Sequence, residues 1–150
     1  MEGDRTCILA MNDALGQLPH GPEFRFLDRL VSLEPGVSGV GEFTLQGDEA
    51  FLRGHFPGDP MMPGVLMLES AAQLAGVVAQ SDPKQAPLPG LKLTAIRAAK
   101  ILGTARPGEL IVIHARITGR MGHLIQAQAT ATLRGTLLLQ CEVTLAGAPT

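Results

Sequence analysis

Gly54-His55-Phe56-Pro57-Gly58-Asp59-Pro60-Met61-Met62-Pro63-Gly64-Val65 leads into a run that ends at Gln80 and decides the fold. From Pro60 to Gln80 the one ionisable side chain is Glu69; apart from the amides Gln73 and Gln80, the rest is apolar or small. Pro63 suits a first helical turn, where its missing N–H would be an orphan anyway. The helix it opens is apolar nearly all round, so it belongs in a core rather than on a surface. Ser81-Asp82-Pro83 stops it. A carboxylate midway along such a helix is costly to bury unless something uses it. His55, held just upstream by a stiff Pro/Gly loop, is the natural acid–base partner. The question is whether the two groups meet.

Outward from this helix the chain reads as strands. Ile111, Ile113, Ala115 and Ile117 alternate with Val112, His114, Arg116 and Thr118. Two further period-2 segments follow, Ile125–Leu133 and Leu137–Leu145, with Gly119-Arg120-Met121-Gly122 and Arg134-Gly135 as the turns between them. Three such segments in a row predict an antiparallel meander, with Leu91 to Leu102 as a fourth neighbour. Upstream, Phe24 to Leu33 and Val37 to Leu45 read as strands around the turn Glu34-Pro35-Gly36. The spaced apolar residues of Cys7 to Leu18 read as a short N-terminal helix. One buried helix and an antiparallel sheet with one apolar face have a natural solution, a sheet curled around the helix. The class is α+β, in a single domain spanning 1–150.

Composition agrees. Hydrophobic residues at 45% and charged residues at 17% place the chain among globular proteins, and with no Trp or Tyr its core must be mostly aliphatic. Cys7 and Cys141 fit no metal or redox spacing and read as free thiols of a reducing compartment. The acidic start, Met1-Glu2-Gly3-Asp4-Arg5, does not read as a signal peptide. The stretch from Gly64 to Gln80 is short for a membrane span. A cytoplasmic protein with no membrane association is expected. Net charge is −2, yet Lys84 to Arg120 holds seven basic residues against the single acid Glu109. That asymmetry suggests a patch for an acidic partner, with solvated strand faces as the plainer reading. Nucleic acid is disfavoured by the overall acidity and the lack of aromatics for base stacking.

The residue types define what the site can do. A helix start leaves backbone N–H groups unpaired, and Gly64 lets a substrate atom approach them closely. A carbonyl oxygen docked there would be stabilised as it gains charge. His55 could then remove the α proton and Glu69 protonate a leaving group on the β carbon, eliminating water. This division of labour requires a protonated Glu69, which apolar burial favours. The same pair could instead activate water against a thioester, and the residue types leave both open.

Gly54-His55-Phe56-Pro57-Gly58, Pro60, Pro63-Gly64-Val65-Leu66, Glu69 and Ala72-Gln73 together resemble the signature of the 3-hydroxyacyl-[acyl-carrier-protein] dehydratases of fatty-acid synthesis (FabZ/FabA-like). Leu18-Pro19-His20, Asp28-Arg29 and Pro107-Gly108-Glu109-Leu110 extend the match, which runs from about Leu18 to Ala146. The resemblance implies a hotdog fold, a sheet wrapped around a central helix. It assigns His55 and Glu69 as the catalytic pair and the Gly64 N–H as donor to the thioester carbonyl. Val65, Phe56 and Gln73 complete the expected substrate-binding set, with Gln73, one helical turn beyond Glu69, read chiefly as an orienting group. The resemblance also implies a homodimer whose sites each take His55 from one subunit and Glu69 from the other; many members are trimers of dimers. No metal or organic cofactor is implied. The partner is acyl carrier protein bearing a 3-hydroxyacyl chain, with Arg97, Lys100 and Arg106 as candidate docking residues.

Three departures stand out. Where the family has a basic residue and then an aromatic-proline pair after Leu-Pro-His, this chain reads Gly21-Pro22-Glu23-Phe24. Lys92 replaces an aromatic gate, and Lys100-Ile101-Leu102 replaces a basic-aromatic-basic run. These bear on the substrate gate, the chain-length range and carrier docking, and a specialised relative fits them. The rival activities are a hotdog acyl thioesterase and a non-catalytic acyl-carrier-binding subunit. His20, His114 and His123 lack partner spacing and read as surface or structural residues. Met61, Met62 and Met67 read as core or tunnel lining. Gly36 to Gly41 has the wrong spacing for a phosphate loop.

Overall fold

Alternating apolar residues and one greasy helix resolve into α1 (Glu2–Gly16), β1 (Arg29–Glu34), β2 (Ser38–Thr44), α2 (Gly64–Gln80), β3 (Lys92–Ile101), β4 (Leu110–Met121), β5 (Leu124–Leu133) and β6 (Thr136–Ala146). The structure, a computed structural model, describes residues 2–148. The strands form one sheet in the order β1-β2-β4-β5-β6-β3, every neighbouring pair antiparallel. α2 packs on β2, β4, β5 and β6, so the sheet curls around it as the apolar patterns require.

The fit between helix and sheet is made by small residues. Ala71, Ala75 and Ala79 lie buried on α2, and Ala115, Ala127, Ala129 and Ala131 are buried on β4 and β5. Their short side chains let the backbones approach, while Met67, Leu74 and Val78 fill the remaining space with no exposure. Each of these larger side chains contributes about 1.5–3 kcal/mol by leaving water. Gly39 on β2 marks a close approach: a Cβ there would lie 2.8 Å from Val78 Cγ2.

The meander follows its sequence pattern closely. The β5–β6 hairpin turns at Arg134 (φ 48°) and Gly135 (φ 80°), with Leu133 opposite Thr136. Two positive φ values in a two-residue loop match the twist of the strands it joins. The β4–β5 turn differs from expectation. Gly119, Arg120 and Met121 stay within β4, where the register shifts between Ile117 and Gly119, and the reversal comes at Gly122-His123. The glycine read as a turn residue sits in a bulge instead.

Two other expectations shift. The N-terminal helix begins at Glu2 rather than Cys7, and Leu15 is its one buried residue; Ile8 and Leu9 are exposed. The strand expected over Phe24–Leu33 begins at Arg29, because Pro22–Phe24 forms a 3-10 turn. Backbone groups of Phe24 and Phe26 bond to side chains of α2 rather than to a neighbouring strand. Cys7 is exposed and Cys141 buried, both free. Burial pushes the Cys141 thiol up to about 11.

Candidate active site

The loop before α2 holds His55 in one orientation. A 3-10 turn, Ala50–Arg53, ends at Gly54, and the His55 N–H donates to the Phe51 carbonyl at 3.2 Å. The ring Nδ1 lies 2.9 Å from the Met61 carbonyl oxygen. A carbonyl can only accept, so Nδ1 carries the hydrogen and Nε2 presents a lone pair, the form a general base needs. The next residue, Phe56, is held at φ 56°, a conformation that costs a non-glycine residue strain and is typical of functional loops.

The loop is tied to the segment before β4 at three points. Met62 N–H donates to the Ala105 carbonyl at 2.9 Å, and Thr104 Oγ1 donates to the Met62 carbonyl at 2.8 Å. Arg106 pairs with Asp59. Arg106, expected to face a carrier protein, is therefore engaged within the chain, and Arg97 lies 3.9 Å from Glu142. Lys100 has no ion-pair partner among the described residues.

α2 then starts without a side-chain cap, its N-cap being Pro63. The N–H groups of Gly64 and Val65 have no intrahelical acceptor and point out from the helix start. Gly64 is also needed for packing, since a Cβ there would come within 2.7 Å of Ile101 Cδ1. Val65 is 70% exposed and Phe56 59% exposed, so the surface around this helix start is apolar and open.

Glu69 lies in a different setting. Its Oε1 accepts from Gln73 Nε2 at 3.2 Å and lies 3.2 Å from His20 Nε2. Gln73 is 2% exposed. Its Oε1 accepts from Phe26 N–H at 2.9 Å, and its Nε2 also donates to the Phe24 carbonyl at 2.8 Å. Both amide hydrogens are thus used inside the chain: Gln73, placed in the expected substrate-binding set chiefly as an orienting group, braces Glu69. Beside them a cavity of about 600 Å³ runs along α2, lined among others by His20, Glu69, Ala72, Gly76, Leu91 and Leu93. Ala72 and Gly76 lie one and two turns beyond Glu69 on the same helix face, and their small size leaves this space open.

His20 corrects an expectation. Nothing in its local spacing announces a partner, yet the chain reversal at Gly21–Phe24 lays its ring on Glu69. The signal that could have found it is the Leu18-Pro19-His20 match combined with a carboxylate on an apolar helix in want of donors. His55, by contrast, does not line the cavity and shares no hydrogen bond with Glu69 among the described residues. Within one chain the expected pair does not come together.

The model of the FabA-like domain matches residues 18–142, most of the chain. This chain belongs to the FabA-like family. The match takes in His20, His55, Glu69 and Gln73. Among its FabA-like relatives, the 3-hydroxyacyl-[acyl-carrier-protein] dehydratase FabZ of Chloroflexus aggregans is 35% identical over 93% of this chain and 96% of its own length. The enzyme of the same name from Anaeromyxobacter sp. is 34% identical over 83% of this chain and 81% of its own. Among solved structures, the dehydratase heterocomplex ApeI:P of Xenorhabdus doucetiae superposes with a TM-score of 0.75 at 18% identity, covering 93% of this chain and 92% of that one. Zebra fish thioesterase superfamily member 2 superposes at 0.66, also at 18% identity, covering 90% and 91%. Both establish the hotdog fold, and the second demonstrates that the fold alone does not separate the dehydratase from the thioesterase reading.

Among the described residues, no helix is long and apolar enough to cross a membrane, and no group of three or more His, Cys, Asp or Glu is placed to hold a metal ion.

Proposed function

We propose that this protein dehydrates 3-hydroxyacyl thioesters on acyl carrier protein to trans-2-enoyl thioesters. The observation that carries the reading is the His55 hydrogen bond to the Met61 carbonyl, which leaves Nε2 free as a base beside an uncapped helix start. The thioester carbonyl docks on the Gly64 N–H and gains negative charge as the α proton leaves for His55 Nε2. Glu69 gives its proton to the departing β-hydroxyl, and water is released. The acyl tail runs into the cavity beside Glu69, past Ala72 and Gly76.

The site is completed by a second copy of the chain, His55 of one subunit meeting Glu69 of the other. Two features support this. The paired groups are apart within one chain, and β3, one of the sheet's two edge strands, exposes Ile96 and Ile101, the latter packed on Gly64 at the helix start where Val65 is exposed. An unpaired strand edge with apolar flanks is a template for self-pairing, and a two-fold contact repeats each interaction twice. Assembly of such dimers into threes is the further expectation from the family, and the cytoplasm is the expected compartment. Lys100, with Arg97 beside it on β3, is the candidate contact for the acidic carrier.

Incubation with 3-hydroxyacyl and enoyl thioesters of several lengths, on carrier protein and on coenzyme A, tests the reading by mass spectrometry. Loss of one water from the 3-hydroxyacyl thioester supports it. Release of free acid would establish the thioesterase, and carrier binding without conversion would establish a non-catalytic subunit.

A further inference from the structure

Resting on the dehydratase reading, the geometry around Glu69 points to a third residue in the acid's machinery: we propose that His20 is a positioning residue that fixes Glu69 by donating Nε2–H to Oε1. The two nitrogens of His20 have unequal surroundings. Nε2 lies 3.2 Å from Glu69 Oε1, whereas Nδ1 is buried with no hydrogen-bond partner among the described residues. A buried N–H without an acceptor costs more than a buried lone pair. The ring therefore carries its hydrogen on Nε2 and donates it to Glu69.

The same inequality separates His20 from a base. One of its nitrogens is occupied by Glu69 and the other is sealed off, so neither can take a substrate proton. The ring is held in place from outside. Gly21-Pro22-Glu23-Phe24, where the chain departs from its family, forms a turn closed by Phe24 N–H to the Gly21 carbonyl at 3.0 Å. That turn lays the Phe24 ring near-parallel to His20, centroids 6.1 Å apart at 26°.

The consequence is a carboxyl group with two distinct oxygens. Oε1 receives both the His20 and the Gln73 hydrogens, while Oε2 has no partner among the described residues. The transferable proton belongs on Oε2, with Oε1 as the carbonyl oxygen. When Oε2–H gives its proton to the leaving hydroxyl, the O–H bond electrons stay on the carboxylate and the departing group leaves as water. The two N–H donors then stabilise the new negative charge without rearranging.

The test uses the full-length protein and two substitutions. His20→Leu removes the donor, and His20→Gln supplies an N–H that cannot cycle a proton. With His20→Leu, kcat for 3-hydroxyacyl thioester should fall about 10- to 100-fold, as expected for a misaligned acid, with KM within about twofold. His20→Gln should recover kcat to within about fivefold of wild type. Wild-type turnover in His20→Leu overturns the proposal. So does a His20→Gln protein that folds normally yet is as impaired as His20→Leu, because the imidazole would then be needed for more than a hydrogen bond. A second readout does not depend on turnover. In protein carrying 15N-labelled histidine, Glu69→Leu should shift the ring signals of His20, identified by their loss in His20→Gln. Unmoved signals overturn the pairing. If wild-type protein dehydrates no thioester while these signals do shift, the dehydratase reading fails and the pairing stands.

Discussion

The two halves of the site are built to different standards. The acid half is finished within one chain: Glu69 receives two donors, Gln73 is fully hydrogen-bonded, and a lined cavity adjoins them. The base half has its own internal ties, but its outer surface, Phe56 and Val65, faces solvent. Large apolar side chains left open beside a strained loop are the surface that the proposed second copy would cover. The contrast teaches that the completeness of a site can be judged group by group.

The sharpest way to break that contrast is to remove each half separately. His55→Ala should reduce turnover at least about 100-fold with an unchanged circular dichroism spectrum; near-normal turnover in a folded variant would remove His55 from the mechanism. Glu69→Gln should be as severe, yet with little change in melting temperature, since it exchanges a half-buried acid for a neutral amide of nearly the same shape. A variant that melts far lower but still turns over would make Glu69 structural. Mixing these two dead chains by co-expression is the direct test of sharing. Half the dimers are hybrids, and one of the two sites in each regains both groups, so about one quarter of wild-type activity should return. No recovery with proven hybrids would confine the site to one subunit.

Smaller effects sharpen the comparison. Gly64→Ala drives a methyl group into Ile101, an overpacking cost of about 1–3 kcal/mol, and should lower activity; the added change Ile101→Ala should restore much of it. Lys100→Glu should raise KM severalfold for carrier-bound substrate and barely alter activity on a small thioester mimic, whereas Arg106→Glu, by releasing Asp59, should impair both. The last test reads the two cysteines. Cys7 should react with maleimide at once and Cys141 only on unfolding. Below pH 9 the Cys141 thiol is protonated folded or unfolded and is indifferent to pH. Between the unfolded value, 9.0, and the folded one, about 11, the unfolded chain loses a proton the folded one keeps, so stability falls as pH rises. Cys141→Ala should flatten that decline in a melting series.

What the sequence made legible was whatever depends on local periodicity. The meander from Leu110 to Ala146 and the helix from Gly64 carry their burial pattern in their spacing, and the structure follows it. Phe24 to Asp28 was illegible for a definite reason. Its apolar residues look like strand, but the Phe24 carbonyl and both backbone groups of Phe26 bond to Ser70 and Gln73, more than forty positions away on a helix. His20 was missed on the same ground, its partner lying at position 69. Ion pairing was the third blind spot. A basic residue reads alike whether it greets a carrier or, like Arg106, is already held by Asp59.

The three ties between the His55 loop and residues 104–106 set an order of events during synthesis. Thr104 and Met62 are separated by 42 positions, so the loop emerges from the ribosome well before the segment that fixes it. A nascent chain ending short of Thr104 can form α2 and the local bonds of His55 to Phe51 and Met61, but lacks the ties that fix Met62 and, with it, the neighbouring Met61 carbonyl that holds the imidazole. Contacts of this sequence separation are made late in folding. Catalytic competence should accordingly lag behind helix formation in a refolding experiment, and the lag should lengthen in Thr104→Val, which loses the hydroxyl and keeps the shape.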